Sequence, residues 1–203
     1  TANVTTAVSK KDEHRKAQSP GQWTFQASAE TVHLIRPEQF YTWQKELLRI
    51  LVRKADNRTI HWFWEPHGNT GKSQFAKFLC GTEHFPEGFV EEARAAGHPT
   101  HGDSQIRAVL GGGKASDLKC MITDIAKNNG GYFPRIVLMD LSRTASSPNK
   151  HIDYQGIEEV KNGSFFSGKY GSSFAIYNHP HVVVFANHPP PHGKLSKDRL
   201  HVQ

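Results

Sequence analysis

The feature that most constrains this chain is a phosphate-binding pattern between a predicted strand and a predicted helix. Residues 59–64 alternate β-branched and aromatic residues, as strands do, and residues 72–80 have the apolar spacing of a helix. The loop between them contains Gly68, Asn69, Thr70, Gly71, Lys72 and Ser73. In such a loop, small residues let backbone N–H groups face phosphate oxygens, and the helix N-terminus adds a favourable dipole. The sequence therefore predicts a Walker A phosphate-binding loop.

The residue types in this loop have distinct predicted roles. We expect residues 68–71 to cradle the phosphates of ATP with their backbone, and Lys72 to reach the β- and γ-phosphates. The hydroxyl of Ser73 is expected to bind Mg²⁺. Pro66 stands where the usual pattern has glycine, so the match departs from the motif at its first position.

Two further apolar runs, residues 135–140 and 182–187, predict strands that are covered by helices on both faces. Each run ends in a polar residue. Asp140 is predicted to be a Walker B aspartate whose carboxylate holds Mg²⁺ through water. Asn187 is predicted to orient water against the γ-phosphate. Strands that alternate with helical stretches favour an α/β fold with a mostly parallel central sheet.

The residue that polarises the attacking water is not obvious. The second acid that often follows the Walker B aspartate is missing, because position 141 is leucine. Glu158 and Glu159, on a predicted helix, are the nearest downstream acids. Either of them is a candidate base, and the alternative is that both are solvated helix charges.

A glycine-flanked segment predicts a DNA-binding hairpin. Lys161-Asn162-Gly163 and Gly168-Lys169-Tyr170-Gly171 bracket Phe165 and Phe166. Glycine at both ends suits a projecting hairpin tip. Lys161 and Lys169 are predicted to contact DNA phosphates, and an aromatic residue such as Tyr170 to stack on a base. The alternative is an ordinary hairpin whose phenylalanines belong to the core.

Composition excludes several classes of protein. No run of 18 apolar residues occurs, so a membrane span is not expected. The two cysteines, Cys80 and Cys120, are too few for a disulfide scaffold or a CxxC zinc site. The net charge of +6 favours a polyanionic partner. Because the sequence does not begin with methionine, we expect a fragment of a longer protein.

Ahead of the phosphate-binding loop, the sequence predicts a tail and a helix. Residues 1–30 contain no periodic pattern over most of their length and are expected to form a flexible tail. Residues 37–54 have apolar residues at helical spacing, namely Phe40, Trp43, Leu47 and Leu51.

Taken in order, these motifs resemble the superfamily 3 helicase domain of replication initiator (Rep) proteins from circular single-stranded DNA (CRESS) viruses. The resemblance covers about residues 35–200. Besides the segments above, it includes three short matches: Trp43-Gln44, Arg58-Thr59-Ile60-His61-Trp62 and Leu195-Ser196-Lys197-Asp198-Arg199.

The resemblance implies an AAA+-like P-loop ATPase that uses ATP and Mg²⁺. It implies a homo-oligomer, a hexameric ring, that unwinds DNA by moving 3′ to 5′ on single-stranded DNA during rolling-circle replication in the host nucleus. Arg199 would be an arginine finger that acts on the neighbouring subunit's ATP. Residues 31–57 would form a helical oligomerisation segment and residues 58–203 the ATPase domain, with the family's nuclease domain outside this chain.

Two other functions stay open at this point. A P-loop kinase or nucleotide transferase would share Lys72, Ser73 and Asp140 with a helicase, but it would not need Arg199 or the hairpin. A nucleotide-gated DNA-binding oligomerisation module with vestigial hydrolysis would explain the missing second acid.

Overall fold

The computed structural model describes residues 32–112, 114–141, 152–169 and 172–203. Its helices are α1 (Thr42–Leu51), α2 (Lys72–Gly81), α3 (Glu87–Ala95), α4 (Ala115–Asn128) and α5 (Tyr154–Asn162). Its strands are β1 (Ile60–Trp64), β2 (Ala108–Gly111), β3 (Ile136–Leu141), β4 (Ser164–Ser167), β5 (Ser173–Ile176), β6 (His181–Ala186) and β7 (Leu200–Val202). Short 3₁₀ turns cover Pro37–Gln39 and Lys197–Arg199.

Five strands form a parallel sheet in the order β2-β3-β6-β1-β7. The strand that leads into the phosphate-binding loop, β1, is therefore separated by β6 from β3, the strand that ends near Asp140. The predicted α/β fold with a central parallel sheet is confirmed, and it is compatible with a P-loop NTPase.

Successive residues of the central strands bury their side chains on opposite faces of this sheet, which explains their lack of polar alternation. One face packs against α1, α2 and α3, with Leu47, Phe75 and Val90 among the buried residues. The other face packs against α4, α5 and the β4–β5 hairpin, with Ile122 and Ile157 among them. The strands are covered on both faces, as predicted.

The helix predicted for residues 37–54 is divided in two. A 3₁₀ turn ends before Phe40, and α1 starts at Thr42 because Gln44 Oε1 accepts a hydrogen bond from Tyr41 N at 2.9 Å, which caps the new helix. α1 packs into the same core as β1 and α2. Its predicted role in oligomerisation stays a prediction, and the tail predicted for residues 1–30 lies outside the described residues.

Strands β4 and β5 pair antiparallel in a separate two-stranded sheet, so the hairpin predicted around Phe165 and Phe166 is present. Phe165 is buried and Phe166 is exposed on the other face of the hairpin. In the part of the chain that the structure describes, no helix is long and apolar enough to cross a membrane.

Candidate functional site

A cavity of about 400 Å³ opens at the carboxyl edge of the parallel sheet. Its lining consists of the residues from Gly68 to Gln74 together with Asp140 and Asn187. The structure thus brings together the whole predicted phosphate-binding loop and the polar residues predicted at the ends of two other strands. The first and last of these residues, Gly68 and Asn187, are more than 110 positions apart in the sequence.

Parallel register is what places these residues side by side. Trp64, the last residue of β1, pairs with Ala186 of β6, and Ala186 also pairs with Leu141 of β3. The three strands therefore end at one level. Asp140 is the second-to-last residue of β3, and Asn187 directly follows β6. Both residues therefore lie at the end of the sheet where the loop begins.

The phosphate-binding loop is fixed at its start by Glu65. Its carboxylate accepts hydrogen bonds from the backbone N–H groups of His67, at 2.9 Å, and Gly68. These bonds, the one from His67 first, lower the pKa of Glu65. A carboxylate held ionised in this way is a poor proton acceptor, so Glu65 serves the loop as a structural anchor.

At the end of the loop, Gly71 adopts a left-handed backbone conformation with φ of 80° immediately before α2. The first amides of a helix have no partner within the helix, and those of Lys72 and Ser73 belong to residues that line the cavity. This is the arrangement that binds phosphate groups at helix N-termini.

Two opposite charges face each other across the cavity. Partial burial raises the pKa of Asp140, while the positive charge of Lys72 acts in the other direction. Burial also lowers the pKa of Lys72, and the carboxylates of Glu65 and Asp140 oppose that shift. Lys72 Nζ lies 3.5 Å from Thr70 Oγ1. The ammonium group is thus held over the loop, where an anionic ligand would gain from it.

Glu158 and Arg199 lie away from this cavity. Arg199 Nε is 3.5 Å from Glu158 Oε1, and Arg199 Nη1 donates to Asn162 Oδ1 at 3.3 Å. Glu158 therefore contacts Arg199 and is not among the residues that line the cavity, and its role as the base stays a prediction. Its neighbour Glu159 is ion-paired with Lys119 of α4.

The predicted DNA-binding residues separate into two environments. Lys161 is completely buried in α5, and its Nζ donates to Pro180 O at 2.9 Å. The prediction that Lys161 contacts DNA is therefore corrected: the residue belongs to the helix before the hairpin, and its ammonium group faces the sheet. Lys169 is partly exposed near the hairpin tip and is ion-paired with Asp117 of α4. Tyr170 lies outside the described residues.

Comparison with known proteins identifies relatives among alphasatellite Para-Rep proteins. The chain is 33% identical over 167 residues to Para-Rep C9 of Faba bean necrotic yellows C9 alphasatellite, a match that covers 82% of this chain and 48% of that protein. It is 34% identical over 160 residues to Para-Rep C6 of Subterranean clover stunt C6 alphasatellite, covering 78% and 45%. The chain is a homologue of alphasatellite Para-Rep proteins. It spans about half the length of the curated relatives it matches.

A third relative, Para-Rep C10 of Milk vetch dwarf C10 alphasatellite, is 31% identical over 162 residues and gives similar coverage, 79% of this chain and 46% of that protein. No protein-family model matches the chain. The resemblance to viral Rep proteins is confirmed at the level of homology, whereas the superfamily 3 helicase assignment stays a prediction.

Four residues make contacts at the site that were not predicted from the sequence. Trp43 and Gln44 of α1 hydrogen-bond to backbone carbonyl groups of the phosphate-binding loop. Trp62 of β1 donates its indole N–H to His188 O at 3.0 Å, next to Asn187. Glu65 anchors the loop. Trp43, Gln44 and Trp62 belong to segments that carry the family resemblance, but no contact was predicted for them. Glu65 had a signal of its own, since an acid that directly follows a strand lies at the end of a parallel sheet where ligands bind.

Proposed function

We propose that this chain is the ATP-dependent DNA helicase domain of a viral replication initiator protein, which hydrolyses ATP to move on and unwind DNA. The observation that carries the proposal is the shared cavity of Lys72, Ser73, Asp140 and Asn187, which three separate segments of the chain contribute. Homology to Para-Rep proteins supports a role in replication.

The lining of the cavity fits ATP with Mg²⁺. The loop amides and Lys72 supply donors and positive charge for the phosphates. The Ser73 hydroxyl and the Asp140 carboxylate are oxygen ligands of the kind that Mg²⁺ prefers. In the proposed reaction, Lys72 binds the β- and γ-phosphates and Asn187 orients the attacking water.

The test is ATP turnover measured with and without single-stranded DNA. Lys72→Ala should abolish hydrolysis, and Asp140→Asn should leave some nucleotide binding with little turnover. Lys77→Ala is the matched control, because Lys77 is an exposed lysine on α2, the helix that follows the loop. If Lys72→Ala hydrolyses ATP at the parent rate, the proposal is wrong.

One observation favours a second candidate function, a nucleotide-gated DNA-binding module with vestigial hydrolysis. Among the described residues that line the cavity, Asp140 is the one carboxylate, and Glu158 faces Arg199 instead. This candidate predicts that ATP binds with a measurable Kd and alters DNA affinity while turnover stays at background in the parent protein. A turnover that DNA stimulates would exclude it.

For DNA contact we propose the outer face and tip of the β4–β5 hairpin. Phe166 and Phe174 are opposite each other in the register and both are exposed, at 59% and 65%. Exposed aromatic rings suit base stacking, and Lys169 supplies a cation for a phosphate. Because Lys169 is already paired with Asp117, DNA would have to displace that carboxylate.

Lys169→Ala should weaken single-stranded DNA binding and leave basal ATP turnover intact. The loss of one phosphate contact should also flatten the log–log salt dependence by roughly 0.7. Lys127→Ala is the control, since Lys127 is an exposed lysine near an aspartate of its own helix, with Lys127 Nζ 3.9 Å from Asp124 Oδ1. An unchanged affinity and salt slope in Lys169→Ala would limit the hairpin to a structural role.

We also propose that Arg199 acts on the ATP of a neighbouring subunit in an oligomeric ring. Its guanidinium is fixed by Glu158 and Asn162 far from the cavity of its own chain. Arg199→Ala and Lys72→Ala proteins should each be inactive alone and regain some turnover when mixed. If mixed oligomers form and stay inactive, the proposal for Arg199 fails.

A further inference from the structure

We propose that Trp43 and Gln44 of α1 are positioning residues that hold the phosphate-binding loop in the form that accepts a triphosphate. The inference deepens the proposed function and rests on it, since it assigns a role toward the same loop to a helix otherwise assigned only to oligomerisation.

Two adjacent side chains of α1 hold two adjacent carbonyl groups of the loop. Trp43 Nε1 donates to Thr70 O, and Gln44 Nε2 donates to Gly71 O, each at 3.1 Å. Gln44 is only 1% exposed, so water does not compete with this bond. Its other amide atom, Oε1, accepts from Tyr41 N. Both ends of the amide are therefore used, and its orientation is fixed by partners of opposite kind.

The geometry of the peptide bond converts these contacts into a direction for the amides. The chain has no cis peptide in its described part, and in a planar trans peptide the C=O and the following N–H point in opposite directions. A carbonyl of Thr70 that points to α1 therefore turns the N–H of Gly71 away from α1. The carbonyl of Gly71 accepts both from Gln44 Nε2 and from Phe75 N, at 2.9 Å, in the first turn of α2, so α1 and α2 together set the direction of the Lys72 N–H. Gly71 and Lys72 both line the cavity.

α1 is also fitted closely to the loop backbone. A Cβ atom on Gly71 would lie 2.8 Å from Gln44 Nε2 and 3.0 Å from Tyr41 Cε2, so no side chain fits between the helix and the loop. Together with the positive φ, this contact favours glycine at position 71, because any larger residue would require Gln44 to move.

The indole of Trp43 is itself anchored to the elements that build the site. Its ring lies 5.4 Å from the ring of Phe63 in β1, 5.6 Å from Phe75 in α2 and 6.0 Å from Phe185 in β6, centroid to centroid. The hydrogen bond from Trp43 to Thr70 O thus connects the loop to the sheet through this packed aromatic cluster.

Two substitutions remove the loop contacts while they keep most of the packing. Trp43→Phe keeps an aromatic ring and loses the N–H donor. Gln44→Met keeps the length of the side chain and loses both hydrogen bonds. Gln39→Met is the matched control, because Gln39 Oε1 accepts the same kind of cap bond from Arg36 N, at 2.9 Å, in the 3₁₀ turn that precedes α1. Comparison of the two methionine variants separates loss of the loop contact from loss of a cap.

The experiment measures the Kd for ATP and for inorganic tripolyphosphate by calorimetry, together with the melting temperature without ligand. Trp43→Phe and Gln44→Met should each raise both Kd values by about three- to tenfold, as expected for one hydrogen bond. Gln39→Met should bind both ligands like the parent. An equal rise in Kd for ATP and for tripolyphosphate would show that the lost contacts act on phosphate binding. A general loss of stability would instead lower the melting temperature without raising these Kd values.

The outcomes separate this inference from the proposed function. If Lys72→Ala abolishes binding while Trp43→Phe and Gln44→Met keep the parent Kd, the positioning role is overturned and the nucleotide site stands. Equal weakening in Gln39→Met and Gln44→Met also overturns it, since the cause is then the helix cap. Should Gln44→Met fail to fold, Trp43→Phe decides alone. If the parent binds neither ligand, the proposed function fails and this inference fails with it.

Discussion

Acidification to pH 5.5 should destabilise this protein through two buried histidines at the amino edge of the sheet. His61 and His181 are 5% and 4% exposed. Burial, with the nearby charges of other histidines and Lys161, lowers the pKa of His61 to about 3. Burial, partly opposed by the hydrogen bond to Arg53 O at 2.9 Å, lowers the pKa of His181 to about 4. Both rings therefore stay neutral in the folded protein at pH 5.5.

The sign and size of the effect follow from proton linkage. In the unfolded chain these imidazoles have a pKa of about 6.5, so at pH 5.5 they bind protons that the folded protein does not bind. Each one then lowers the free energy of unfolding by about 1.4 kcal/mol relative to neutral pH. Carboxylates with lowered pKa, such as Asp103 at about 2, add nothing in this window because they are ionised in both states. His61 and His181 together should therefore remove about 3 kcal/mol between pH 7.5 and 5.5, and His101, whose pKa burial lowers to about 4, acts in the same direction.

Urea unfolding followed by far-ultraviolet circular dichroism at the two pH values measures this loss. His181→Gln keeps a side-chain donor and removes one titrating group, so its loss between the two pH values should be smaller by about 1.4 kcal/mol. Because each variant is compared with itself, the cost of the substitution cancels. His192→Gln, at an exposed position, should lose as much as the parent. A loss below about 0.5 kcal/mol in the parent, or a full loss in His181→Gln, would refute the reasoning.

Four further substitutions test other parts of the structure. Gly156→Ala should destabilise the fold by about 1–3 kcal/mol, since its Cβ would lie 1.9 Å from Ala115 Cβ between α5 and α4. Gly88→Ala in α3, where the new Cβ would have no atom within 4 Å, should raise the free energy of unfolding by up to about 1 kcal/mol. Equal urea midpoints for the two variants would contradict this. Trp62→Phe removes the donor to His188 O, so the loop that carries Asn187 loses its support. ATP turnover should therefore fall more than the Kd for ATP rises. If steady-state kinetics showed weaker ATP binding with unchanged turnover, Trp62 would serve binding alone. Lys161→Met should lower the free energy of unfolding by about 1–3 kcal/mol, since Pro180 O loses its donor. DNA affinity should stay unchanged in a binding titration. A weaker affinity would restore Lys161 as a DNA contact.

Much of the central sheet could be predicted because its strands are buried on both faces. Near-continuous apolar runs such as residues 136–141 have few other solutions in a folded domain. The edge strands β2 and β7 contain only four and three residues and give no such signal. Their place was decided by pairing with longer neighbours, which a local pattern does not contain.

The cavity was predictable in part for the same reason. Polar residues that end parallel strands meet at one edge, so Asp140 and Asn187 could be placed from the sequence. The orientation of α5 could not, and it places Glu158 beside Arg199. A signal for Lys161 did exist, because Ile157, Val160 and Lys161 form one buried stripe of the helix. The nearby Gly163 is the C-cap of that helix, at φ of 69°, and not part of a hairpin tip.

Arg199 and the phosphate-binding loop lie at opposite ends of the parallel strands, and the distance between them limits what Arg199 can contact. Leu200 pairs with Ile60, the first residue of β1, so Arg199 lies at the amino edge. The phosphate-binding loop follows Trp64 at the other edge, five residues along the strand, or about 16 Å away at 3.3 Å per residue. An arginine side chain that is already held by Glu158 does not span that distance. Arg199 can therefore contact a phosphate only where a second copy brings its amino edge to this cavity, so an arginine finger here requires assembly and not a rearrangement within one chain.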